Sequence, residues 1–140
     1  MKNLIFMFLI LATFFGCEDD EASKELNLVG NWNVNIEIYI AGTECSGTPE
    51  VLRSGTVVFT DTTLIISLNS NGSIFDTNFD YILNSSNSEI TMILGDEAFF
   101  GSMELNESSA TFEMVFDFGD NDPGIGEDAY CEKWNLTRID

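Results

Sequence analysis

The sequence predicts an all-β domain, an eight-stranded antiparallel up-and-down barrel, and three observations predict it. Apolar and polar residues alternate with period two along most of the chain from Leu28 onward. Stretches rich in Gly, Asn, Ser and Asp punctuate the alternation at short intervals, which is the spacing of hairpins. Cys45 and Cys131 stand where the first and last strands of a closed meander would meet. No segment carries a convincing period of 3.6, so any helix is confined to a short turn within 41–51.

The first strand lies in "GNWNVNIEIYIA", with Trp32, Val34, Ile36, Ile38 and Ile40 on one face and Asn31, Asn33, Asn35, Glu37 and Tyr39 on the other. Strand two is expected at 55–60 and strand three at 63–69. The turn "NSNG" leads to strand four at 73–83, with Phe75, Phe79 and Tyr81 on one face. "NSSNS" leads to strand five at 89–94, and "GD" to strand six at 97–105. "NESS" leads to strand seven at 109–118, whose inward face is Ala110, Phe112, Met114, Phe116 and Phe118. A longer loop, "GDNDPGIGE", precedes strand eight at 128–139. Edge strands invite aggregation and closure removes them. A two-sheet sandwich would use the same strands. The cysteines favour the barrel. Closure sets strand eight beside strand one and brings Cys45 and Cys131 within bridging distance, whereas an open meander holds them apart. The bridge closes a loop of 86 residues, for which loop entropy gives about 4 to 5 kcal/mol.

Upstream of this domain, Met1-Lys2-Asn3 is followed by an apolar run from Leu4 to Phe15, broken only by Thr13. That is short of the ~20 residues a membrane-spanning helix needs. A positive start, a short apolar stretch and a small residue before the cut describe a secretory signal peptide, residues 1–16. Gly16-Cys17 resembles the lipobox of bacterial lipoproteins, with Phe14 in place of the usual leucine. The resemblance implies that Cys17 carries lipid and becomes the mature N-terminus. It also accounts for an odd cysteine count, since Cys45 and Cys131 are then left to pair outside the cytoplasm. Residues 17–27 read as an acidic tether and 28–140 as one domain with one core.

The chain has 24 acids, five bases and no histidine. Cleavage removes only Lys2, so four bases then face the 24 acids, a net charge of −20. That balance argues against nucleic acid and against anionic lipid heads as partners. The missing histidine removes imidazole acid–base catalysis, serine triads and the commonest metal ligand. No phosphate-binding or dinucleotide fingerprint is present, and the sequence reads as a non-enzyme. One oxygen-rich stretch, "DFGDNDPGIGED", holds Asp117, Asp120, Asp122, Glu127 and Asp128. Such a loop suits calcium. Its glycine and glutamate are out of place for an EF-hand, and a solvated acidic connection is the simpler reading.

"LVGNWNV" at the first strand and "YCEKWNLTRID" at the chain end resemble the lipocalin-like domain of small lipoproteins of Bacteroidota-type bacteria, over residues 28–140. The resemblance implies that the Gly30-x-Trp32 motif plugs the closed end of the barrel. It implies too that Arg138, of like parity with Trp134 and Leu136, stacks on Trp32. The lipocalin motif before strand seven is not recognisable at "ELNESS". "CEDDE" resembles the signal that carries such lipoproteins to the outer face of the outer membrane. The loops at 41–54 and 119–127 lie at the end away from the tether, while the near-end turns at 61–62, 84–88 and 106–108 are short. The open mouth is therefore expected to face away from the membrane, ringed by Glu44, Glu50, Asp120, Asp122 and Glu127. Eight strands enclose room either to be filled or to hold one small ligand. The walls for an apolar ligand, neutral or cationic at its exposed end, would be Phe75, Phe79, Phe112, Phe116 and Phe118. The alternative is a filled barrel acting as a structural or protein-interaction domain.

Overall fold

A computed structural model of the chain describes residues 26–40, 44–70, 72–117 and 129–139. Eight strands run in chain order: β1 Gly30–Tyr39, β2 Val51–Phe59, β3 Thr63–Ser70, β4 Ser73–Leu83, β5 Glu89–Leu94, β6 Glu97–Leu105, β7 Ser109–Phe116 and β8 Tyr130–Arg138. Each pairs antiparallel with the next, and β8 pairs with β1, so the sheet closes into an up-and-down barrel. The sandwich alternative is thereby excluded. The alternation that predicts the strands also sorts the faces. Trp32, Val34, Ile36 and Ile38 of β1 point into the core with Phe59, Leu64, Ile66, Ile90, Met92, Phe112 and Met114.

Three boundaries differ from the sequence expectation by two residues or more. β2 begins at Val51 rather than 55, because β1 offers it partners down to the Ile38–Val51 pair. Arg53, Ser54 and Gly55 break the apolar alternation there, which hides the strand. Gly55 is required by the fold: a Cβ at that position would overlap the Ser67 carbonyl of β3. β7 ends at Phe116 and β8 begins at Tyr130, each two residues inside the expected limit. Ile40 does not join the inward face of β1. The strand ends at Tyr39, the Ile40 amide donates to the Glu50 carboxylate at 3.0 Å, and the Ile40 side chain is exposed.

Cys45 and Cys131 form a disulfide, with Cα atoms 5.2 Å apart. Cys131 opposes Tyr39 in the β1–β8 register, and its parity is opposite to that of the inward Glu132 and Trp134. The bridge therefore straps the β1–β2 connection over the outside of the closing seam, at the end of the barrel remote from Trp32.

Candidate functional site: an apolar cleft at the open end

The two ends of the barrel are built differently. At the base, Trp32 is wholly buried and opposes Arg138 across the closing seam. The guanidinium carbon lies 4.2 Å from the centre of the indole ring. Its nitrogens donate to the carbonyls of Asn27 (2.7 Å), Val29 (3.0 Å) and Glu107 (3.0 Å). The Trp32 indole N–H donates to the Leu28 carbonyl at 2.7 Å. Arg138 thus ties the segment before β1 to the β6–β7 turn and covers the indole face, an arrangement worth about 0.5 to 2 kcal/mol for the ring contact alone. Gly30 sits at φ +135°, where a Cβ would come within 3.0 Å of the Arg138 guanidinium. A side chain there would strain the backbone and crowd the arginine. Above this plug, Phe59, Phe112, Leu64 and Met92 leave the base closed and dry.

Among the described residues, the opposite end is lined on one side and open on the other. On the lined side, the Phe116 ring stacks on Tyr130 at 5.2 Å and meets Phe99 at 4.7 Å. Beneath them on β8, Glu132 points inward, only 6% exposed, and accepts a hydrogen bond from the Trp134 indole N–H at 2.7 Å. Burial pushes the Glu132 carboxyl above the ordinary glutamate value, while the Trp134 bond and the Arg53 charge act to lower it. On the open side, Phe75 opposes Leu68 and Phe79 opposes the buried Leu64, so both phenylalanines belong to the inward face. Phe79 is half-buried, yet Phe75 is 58% exposed and Leu94, at the end of β5, is 41% exposed. Among the described residues, parity and exposure together outline an apolar cleft between β4 and β5: inward-facing apolar side chains meet water at the mouth, above a sealed base. Arg53, opposite the inward Ile36, is exposed at the same end.

The structure brings some of the sequence-predicted site residues together and separates others. Phe75 and Phe79 line the open side. Phe116 belongs to the aromatic ladder opposite. Phe112 lies at the base, wholly buried between Phe59 and Trp134, too deep to wall a ligand at the mouth. Glu44 and Glu50 are exposed in the β1–β2 connection near the mouth. Asp117 is exposed just past β7. Cys17, Phe118, Asp120, Asp122, Glu127 and Asp128 lie outside the described residues. Among the described residues no group of three or more side chains is placed to hold a metal ion. Sequence reasoning missed Glu132, Arg53 and Leu94. Glu132 shares parity with Trp134 and Leu136, so strand alternation alone could have found it. A separate concavity of about 510 Å³ lies on the outer face across β8, β1, β2 and β3, where Asn35, Leu52, Ser54, Asn69 and Asn135 are among the lining residues.

Fold and cleft together define a small closed β-barrel, plugged at one end and apolar at the other. No protein-family model matches the chain, and no curated protein matches it in sequence.

Proposed function

We propose that the chain is a lipid-anchored extracytoplasmic protein, lipocalin-like in architecture, whose barrel receives one small apolar molecule at its mouth. One observation carries the binding reading: Phe75 faces inward and stays 58% exposed, while the same inner wall at the base is shut. Exposed apolar surface inside a concave, mostly apolar site is where a small ligand gains most from leaving water. The acids near the rim, Glu44 and Glu50 among them, favour a ligand that is neutral or cationic at its outer end. Binding rather than catalysis is proposed, in keeping with a chain that offers no imidazole and whose two barrel cysteines are bonded to each other.

The anchor rests on the sequence "FFGCEDDE", which puts Cys17 at the cleavage point and acids directly after it. The same acids resemble the surface-sorting signal of such lipoproteins, and that resemblance supports outer-membrane attachment with surface exposure. Metabolic labelling with a fatty acid should be lost in Cys17→Ala, and retained labelling would remove the anchor from the proposal.

The filled-barrel reading has its own support in the solid packing of Trp32, Phe59, Phe112 and Met92. Fluorescence titration with Nile red, a neutral apolar probe, separates the two. Binding with a blue-shifted emission is expected. Phe75→Asp is expected to weaken it about tenfold, the loss of most of one buried aromatic contact. An unchanged affinity in Phe75→Asp would remove the site from the mouth, and no binding to the wild type would support a barrel that serves only as a scaffold.

A further inference from the structure

β4 is 11 residues long but has strands on both flanks only near its end. β3 pairs with it from Ser73 to Asp80. β5 reaches only from Asp80 to Leu83, because the β5–β6 hairpin turns at Gly95 and Asp96. Among the described residues, no strand lies along the β5 flank of 73–79. Strand periodicity identifies the backbone groups left over. The Tyr81 amide donates toward β3, to the Thr62 carbonyl at 2.9 Å. The Asn84 amide donates toward β5, to the Glu89 carbonyl at 3.2 Å. Successive residues face opposite flanks, and the register with β3 is unbroken. The amides and carbonyls of Ile74, Asp76 and Asn78 therefore face the open flank.

We propose that this edge of β4 takes up an extended segment of a partner protein as an added strand, and that the segment alternates basic with apolar residues. A row of unpaired backbone groups is a template for strand addition. Neither proline nor lysine blunts it here. Charge selects the partner. Residues 63–105 hold six acids, Asp76, Asp80, Glu89, Asp96, Glu97 and Glu104, and no lysine or arginine. Ser67 donates to one Asp76 oxygen at 2.7 Å, which holds that carboxylate on the outer face. A basic side chain across from Asp76 completes an opposite-charge cross-strand pair. The alternate side chains of the added strand fall on the inner face beside Phe75 and Phe79, where apolar groups are suited. The same charges disfavour a second copy, since pairing β4 with itself would press two all-acid walls together.

The test titrates the full chain, in detergent, with three synthetic peptides of about ten residues, enough to span the open edge. One alternates Lys with Val and Thr. The second is the same peptide N-methylated at alternate residues, which keeps its charge and removes strand-forming amides. The third has Glu in place of Lys. The first peptide is expected to bind, the methylated one at least about tenfold more weakly, and the Glu peptide not detectably. Asn78→Pro removes an amide that faces away from β3 and should weaken the first peptide similarly. If that variant does not fold, the methylated peptide on the wild-type protein decides. Equal binding of the methylated peptide reduces the contact to charge attraction and overturns the proposal, as does failure of the first peptide to bind. A concentration-dependent dimer that Asn78→Pro abolishes would assign the edge to a second copy and also overturn it. Nile red binding is read separately, so the edge and the mouth cleft fail or stand independently.

Discussion

Glu132 is the one buried charged side chain among the described residues, and its setting makes a pH prediction. Burial raises its folded-state pKa above the ordinary value of 4.5, more than the Trp134 bond and Arg53 lower it. Folded protein then holds a proton on Glu132 at pH values where the unfolded chain has released it. Between the ordinary and the raised value, this group makes stability fall as pH rises. Below the ordinary value the cost is absent, and above the raised value it is complete. Glu132→Gln keeps an acceptor for the Trp134 indole N–H without the charge. The variant is expected to be at least as stable as the wild type at pH 7, with the difference shrinking as pH drops toward 4.5. Urea unfolding at a series of pH values measures this. A variant less stable than the wild type at pH 7 would mean that attraction to Arg53 outweighs burial. At this scale the base was readable only through the resemblance of the first and last strands to the lipocalin-like pattern, with parity pointing Arg138 inward; the register pairs it with Trp32. Glu132 was legible in principle, but a glutamate among 24 acids carries no signal until the fold turns it inward.

The strands show why alternation reads some elements and misreads others. β4, β5 and β6 have the bounds their alternation predicts. β2 was partly invisible because its first half meets water on both faces: Leu52, Arg53 and Ser54 are all exposed. Alternation records burial, not hydrogen bonding, so a strand with no dry face leaves no period. Phe75 shows the converse. Its parity is inward as expected, but burial also needs a neighbour on the far flank, and β5, with six residues, stops short of it. The lengths of neighbouring strands decide where a barrel wall opens, and single-strand periodicity does not contain that information. The cleft and the open edge of β4 are two consequences of this one mismatch.

Across the whole molecule, closure was legible from two cysteines. Their positions favour a closed meander over an open one, and the Cys45–Cys131 bridge spans that seam. Closure leaves one end plugged by Trp32 and Arg138 and the other lined by aromatic rings, with the β1–β2 connection strapped beside it. The segment before β1 joins at the Trp32 end, so the mouth lies at the end of the barrel away from it. The central claim is that this mouth, and not the base, binds an apolar molecule. An amide-resolved NMR titration with 1-octanol, a small neutral apolar molecule, tests it most directly. Saturable shifts are expected at Phe75, Phe79, Leu94 and Phe99, with an unmoved indole N–H at Trp32. Shifts centred on Trp32 and Leu136, or no saturable shift anywhere in the barrel, would contradict it.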